Sequence, residues 1–309
     1  MNAYYRQPAI YKDQVVFIAE DDLWTFSLKD EVARHLTANL GMIRHPQFSP
    51  DGKQIAFTST EEGTSEIYIM PSEGGEAKRL TYLGAYLYTL GWKGSKIIFA
   101  SSHSSFLWGY YKLYEIDSEG GAPVELPYGR ASDISFGEKG VVLGRNTGNP
   151  ARWKRYRGGT AGYFLIDKNG DGKFKRMINL NGNFACPMWI GNRIYFICDH
   201  EGIGNIYSCT PEGKDLQKHS NHQDYYARGA YSDGKTIIWH SGAELWLMDV
   251  KENKPRKLSF AYSSPMVQRQ RKFVSPPKNL ENVFLSPDGG SLSLELRGKA
   301  LVSGNWEGS

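Results

Sequence analysis

A strand–turn–strand phrase recurs six times before residue 262, and this repeat constrains the fold more than any other feature of the chain. One apolar strand reads VVFIA (15–19), IAFTS (55–59), IIFAS (97–101), VVLGR (141–145), IYFIC (194–198) and TIIWH (236–240). A second follows each as DLWTF (22–26), EIYIM (66–70), KLYEI (112–116), GYFLI (162–166), NIYSC (205–209) and ELWLM (244–248). Leu23, Ile67, Leu113, Phe164, Ile206 and Leu245 of these second strands lie 44, 46, 51, 42 and 39 residues apart. A third element, HLT (35–37), RLT (79–81) or KLS (257–259), closes several units.

The turns between strands have their own chemistry. In SPDG (49–52), Pro50 presets φ, Asp51 can hydrogen-bond its own backbone, and Gly52 tolerates a positive φ. Beyond it, Ile55 and Phe57 alternate with Ala56 and Thr58, the period of a half-buried strand. Gly-rich connectors recur at PSEGGE (71–76), DSEGGA (117–122), DKNGDG (167–172) and TPEGKD (210–215). One hairpin is marginal alone, whereas units of 40–50 residues with three or four short strands are the signature of β-propeller blades. The expected fold is all-β: a six-bladed β-propeller of about four-stranded blades over residues 1–262. A Ser-, Pro- and Arg-containing stretch then reads as a solvated linker at 263–279. SPDG returns at 286–289 with a strand from Leu292 to Leu296. This partial unit either supplies a missing strand to the ring or begins a further domain. The linker favours the second, so 280–309 is expected to be the truncated start of a second β-propeller.

Composition agrees with many short strands in a packed chain: 40% hydrophobic, 13% aromatic, 34 Gly and 19 Tyr in 309 residues. A net charge of +4 is too weak and too dispersed for a nucleic-acid partner. The N-terminus has no apolar signal segment and no run of 18 apolar residues exists, so the expected location is cytoplasmic, with no membrane partner. Cys186, Cys198 and Cys209 lack CxxC spacing and read as small buried hydrophobes in a reducing compartment.

Catalytic and cofactor motifs are weak. Asp167, Asn169, Asp171 and Gly172 start like a calcium loop, but Ile178 stands where the closing Glu belongs, and the stretch reads as a hairpin turn. His219 and His222 read as loop residues, and neither HExxH nor GxSxG occurs. Asp133, Asp167 and Asp199 near strand ends do not favour paired acid–base work over turn capping. No catalytic residue, metal or cofactor is expected. The least repetitive stretch, GRNTGNPARWKRYRGGTAG (144–162), carries Arg145, Arg152, Lys154, Arg155 and Arg157 beside Trp153 and Tyr156. It is either a solvated loop or a cationic loop for an anionic group such as a peptide carboxylate, for which Arg145, Lys154, Arg155 and Arg157 are the candidates.

DDLWTFSL (21–28), the 144–162 run, IGNRIYFICDHEGIGNIYS (190–208) and DLQKHSNHQDYYARGAYSDG (215–234) together resemble the N-terminal region of the tricorn protease family, across about residues 8–309. The resemblance implies a six-bladed propeller followed by a seven-bladed propeller, a PDZ domain and a serine peptidase core. It further implies a cytoplasmic hexamer that degrades short peptides downstream of the proteasome, with the propeller as a non-catalytic channel. The family's peptidase residues have no counterpart in this chain. The family also has an Arg pair for the substrate carboxylate in a longer loop after the second blade. Here RLTYLGAYLYTLGW (79–92) is shorter and has no such pair after Tyr82, so either cleavage specificity differs or cations elsewhere substitute, with Lys154, Arg155 and Arg157 as the candidates. The alternative is a free-standing propeller that binds a protein or peptide.

Overall fold

The computed structural model describes residues 3–107, 109–149, 151, 153–266 and 275–306. They form two compact units, Met1–Ser263 and Ser264–Ser309. The first contains six four-stranded antiparallel sheets, each continuous in sequence, over 6–35, 43–79, 87–130, 133–176, 184–218 and 228–257. These are the blades of a six-bladed β-propeller. The second unit contains a three-stranded meander, Leu280–Leu285, Ser291–Leu296 and Lys299–Gly304, preceded by one helical turn at Pro276–Asn279. Residues 267–274 of the expected linker, with its basic run, lie outside the described residues. Among the described residues no helix is long and apolar enough to cross a membrane.

The recurrent apolar strands are the second and third of each blade, and the innermost strand precedes them. These innermost strands are Arg6–Tyr11, Ile43–Phe48, Leu87–Lys93, Asp133–Phe136, Phe184–Ile190 and Arg228–Ser232. Their alternation is broken by bulges between Arg6 and Ala9, Arg44 and Gln47, Ala185 and Met188, and Arg228 and Tyr231. Gln7, His45, Cys186 and Gly229 sit at these bulges with φ of 47°, 52°, 52° and 55°. Pro8, Pro46 and Pro187 follow three of them. Proline cannot donate to a ladder and is tolerated at a bulge, where one residue is already unpaired.

Six apolar clusters hold the blades together, each spanning one pair of neighbours. Val15 and Phe17 face blade 6 with Ile238 and Leu245, whereas Val16 and Ile18 face blade 2 with Ile55 and Phe57. The half-buried reading of IAFTS is therefore corrected. Ile55 and Phe57 pack towards blade 1 and Ala56 towards blade 3, so both faces are buried. Between blades, every second strand is a core strand, and its sequence reads as an apolar run.

The HLT and RLT phrases end in a clamp between the outer strands. Thr37 Oγ1 donates to Asp22 Oδ1 at 2.8 Å and accepts from the Leu23 N–H at 3.0 Å. Thr81 does the same with Glu66 (2.5 Å) and the Ile67 N–H (2.9 Å). Ser220 repeats it with Asn205 (2.7 Å) and the Ile206 N–H (2.9 Å). Asp22, Glu66 and Asn205 also accept from the backbone N–H of Asn39, Gly84 and His222, which ties each blade to the connection leading to the next.

Among the described residues no strand is exchanged between blades 1 and 6, and their seam is closed by the segments that flank the six blades. The Tyr5 N–H donates to the Ala243 carbonyl of blade 6 at 3.2 Å. Residues beyond blade 6 cross to blade 1, where Val32 and Ala261 form a parallel bridge. Ala33 N–H donates to Ala261 O (2.8 Å) and Ala261 N–H to Glu31 O (2.7 Å). Aromatic rings seal the joint: Phe26 stacks on Phe260 at 4.3 Å, and Trp24 meets Tyr262 at 4.5 Å. Such pairs contribute roughly 0.5–1.5 kcal/mol each beyond their area.

A cross-link at this seam would close the ring covalently without touching the core, because Val32 and Ala261 are exposed. In Val32→Cys/Ala261→Cys, paired strand neighbours lie within disulfide reach. The oxidised form is expected to gain on the order of 4 kcal/mol over the reduced form in urea unfolding, as befits a very long closed loop. Equal midpoints for the two forms would mean that the cross-link strains the seam as much as it restricts the unfolded chain, and would contradict the Val32–Ala261 pairing.

Candidate functional site

In an antiparallel blade whose first strand is innermost, the loops between strands 2 and 3 share one face with the connections to the next blade. The described residues of the long insertion, 146–149, 151 and 153–162, lie on that face between Val141–Arg145 and Tyr163–Asp167. It is pinned to blade 5 by Asp199, which is fully buried. The Arg155 N–H donates to Asp199 Oδ2 at 3.1 Å, and Arg157 Nη1 donates to Oδ1 at 3.1 Å. Arg157 Nη2 reaches the Asp199 carbonyl at 3.0 Å, and the Asn183 N–H completes the set at 2.7 Å. Asn183 Nδ2 also holds the Tyr156 carbonyl at 2.9 Å.

The four cationic candidates therefore do not form one cluster. Arg155 and Arg157 meet on Asp199, with Arg155 at φ 61°. Lys154 Nζ lies 5.9 Å from the Tyr226 ring centroid. Arg145 ends the second strand of blade 4, opposite Tyr163, and its buried Nε has no hydrogen-bond partner among the described residues. Arg152 lies outside the described residues. Asp167 accepts from the N–H groups of Asn169, Gly170, Asp171 and Gly172, which makes that loop a turn organised around its first carboxylate. His219 is buried between Ser208 Oγ (2.7 Å) and Asn253 Oδ1 (2.5 Å), and His222 Nε2 accepts from the Trp239 indole at 2.9 Å. Cys198 and Cys209 are core residues between blades 4 and 5, whereas Cys186, at the bulge of the innermost strand of blade 5, packs against the core between blades 5 and 6.

The axis holds a polar constellation that sequence reading passed over. Gln7 links three blades: its N–H donates to His240 Nδ1 (3.3 Å), and its side chain exchanges hydrogen bonds with His45 Nε2 (3.0 Å) and the His45 N–H (3.1 Å). Both imidazoles accept here and are held neutral. Burial first, then Arg44 and Arg6, pushes His45 down to about 4. Burial, Arg228 and Arg6 push His240 down to about 3. On the far side, burial pushes the Asp133 carboxyl up to about 7 against hydrogen bonds from Thr147 and the Cys186 N–H. Burial and Asp133 together push the Cys186 thiol up to about 12, which leaves it protonated and unreactive at neutral pH. The available signal was the Pro-ending phrase before three of the six apolar strands, RQP (6–8), RHP (44–46) and ACP (185–187).

The chain matches the family described as tricorn protease N-terminal beta propeller domain over residues 2–254. It is 34% identical to a tricorn protease homolog of Saccharolobus solfataricus over 100% of this chain and 29% of that protein. It is 38% identical to tricorn protease homolog 1 of Streptomyces coelicolor over 93% of this chain and 27% of that one. The crystal structure of the tricorn protease superposes with a TM-score of 0.86 at 32% identity, covering 98% of this chain and 30% of that one. The chain thus spans less than a third of the length of these relatives.

Two outcomes follow from this geometry. Asp199→Ala should free the insertion, so that trypsin cuts at Lys154–Arg157 in the native state. It should cost about 2–3 kcal/mol, below the roughly 3–5 of fully buried pairs, because Arg157 stays partly hydrated. Unchanged cleavage would mean that other contacts hold the loop. The axis also sets a pH dependence. A depressed histidine contributes stability that is present above its ordinary value of 6.5 and is lost as pH falls towards its folded value. Asp133 acts oppositely: its stability is full below 3.8 and is lost as pH rises through about 7. In urea series between pH 4.5 and 6.5, His240→Gln should flatten the rise of stability by about 1.4 kcal/mol per pH unit, and Asp133→Asn should steepen it by a similar amount. Parallel curves for wild type and both variants would contradict this assignment.

Proposed function

The chain belongs to the tricorn protease N-terminal β-propeller family, and on that premise we propose that it is the non-catalytic channel propeller of a tricorn-type serine peptidase. The observation that carries this reading is the axis. Gln7, His45, Tyr88 and Asp133 on the innermost strands stay partly solvent-accessible while the surfaces between blades are packed with apolar side chains. A rigid ring with a polar inner row suits passage of extended, unfolded peptide. Folded protein is excluded by size, and no tuned nucleophile is required. Likeness to the family supports the finer elements: short peptides as cargo, a second propeller, PDZ domain and catalytic core as partners, hexameric assembly, and cytoplasmic work downstream of the proteasome.

The second reading is a free-standing propeller that binds a protein or peptide. It draws on the insertion-bearing face, which exposes Leu40, Tyr82, Phe106, Leu107, Trp153 and Tyr225. Apolar exposure gathered on one face marks an interaction surface, whether for the rest of a peptidase or for a separate partner.

The deciding experiment isolates the native protein from its source cells and determines its intact and assembled mass. A chain or stable complex several-fold larger than 34.8 kDa supports the peptidase reading. A lone 34.8 kDa species supports the binding module. In the large assembly, Arg44→Trp narrows the axis and should slow octapeptide turnover several-fold, while fluorophosphonate labelling of the active serine is unchanged. Unaltered octapeptide turnover would remove the channel role.

A further inference from the structure

Strand register places one residue of each innermost strand at the same level of the ring. Arg6, Arg44, Tyr88, Asp133, Ala185 and Arg228 pair with Ile18, Thr58, Ala100, Gly144, Ile197 and His240 of the second strands. Those residues pair in turn with Leu23, Ile67, Leu113, Phe164, Ile206 and Leu245, the apolar positions that mark the repeat. The inner row is therefore a true equivalence across blades. Its composition is one-sided: Arg228, Arg6 and Arg44 occupy the successive blades 6, 1 and 2, and Asp133 lies three blades from Arg6.

This arginine half-ring is under-neutralised. Arg6 pairs with Asp21. Among the described residues the guanidinium of Arg44 hydrogen-bonds only the Met42 sulfur, at 3.7 Å, that of Arg228 only the Tyr4 hydroxyl, at 3.0 Å, and neither stands in an ion pair. The buried Nε of Arg228 has no hydrogen-bond partner among the described residues. His45 and His240, which lie between these arginines, accept from Gln7 and so take no part in balancing charge. Like charges gathered at a partly desolvated site repel one another, and a carboxylate between them would remove that repulsion while accepting forked N–H donors.

We propose that the Arg228–Arg6–Arg44 half-ring is a carboxylate-binding station on the propeller axis, where a short extended peptide is held by an acidic group. The inference rests on the channel reading for its cargo. It is separate from the insertion cations, of which Arg157 is committed to Asp199. The carboxylate can come from an acidic side chain or from the peptide C-terminus.

The test titrates the 309-residue chain, labelled with ¹⁵N at arginine Nε, with three capped peptides: N-acetyl-triglycine free acid, N-acetyl-tri-Glu amide and N-acetyl-tri-Gln amide. At least one acid should shift the Arg44 and Arg228 Nε–H signals and bind about tenfold more tightly than the tri-Gln amide, with affinity falling as salt rises. Response to triglycine acid alone identifies a C-terminal carboxylate, to tri-Glu amide alone a side-chain carboxylate, and either upholds the station. Arg44→Gln/Arg228→Gln should abolish the preference. Arg44→Lys, which keeps the charge and loses the fork, should retain part of it, and Lys154→Gln/Arg155→Gln should leave it intact. Equal binding of acids and amide, or a preference that survives Arg44→Gln/Arg228→Gln, overturns the proposal. Either result leaves the channel reading to the Arg44→Trp turnover assay, so the two ideas fail separately.

Discussion

A ring of blades has one joint without a covalent connection, and the stability of every other interface depends on that joint staying closed. Among the described residues no strand crosses it. The opening of the chain reaches blade 6 through Tyr5, and the segment after blade 6 reaches blade 1 through Ala261. Between them lies an aromatic layer of Tyr5, Phe17, Phe26, Phe260 and Tyr262. Rings suit this position because they bury a large apolar area with few rotatable bonds, so that sealing the joint costs little conformational entropy. Gln7 performs the polar counterpart at the axis, where one side chain engages blades 6, 1 and 2.

The closed ring buries both faces of every blade, and this organises the sequence. Between neighbours a strand has no solvent side, so Val15 to Ala19 are all buried although successive side chains point to opposite blades. At the rim, where water returns, the clamps of Thr37 with Asp22, Thr81 with Glu66 and Ser220 with Asn205 satisfy the polar backbone at blade corners. Chemistry is thereby displaced from the blade bodies to two places, the loops of one face and the inner row of the axis. The insertion's charge is partly spent on its own anchoring, since Asp199 takes Arg157. The axis instead keeps unbalanced cations beside neutral imidazoles.

Repeat length, turn chemistry and the alternating phrases specify an all-β propeller, the count of six, and the second and third strands of each blade, because these depend on local propensity and on two-sided burial that every unit shares. The insertion was legible as the break in the repeat. The innermost strands were hidden by the feature that shapes them: bulges and prolines interrupt the alternation at Gln7-Pro8, His45-Pro46 and Cys186-Pro187. Tertiary structure alone decided how the ring closes, which blade faces each apolar residue, and that Arg6, Arg44 and Arg228, up to 222 residues apart in sequence, share one level of the axis. The reason is physical. Periodicity encodes what each residue contributes to its own strand, whereas closure and convergence on an axis exist only once six separately encoded blades have packed against one another.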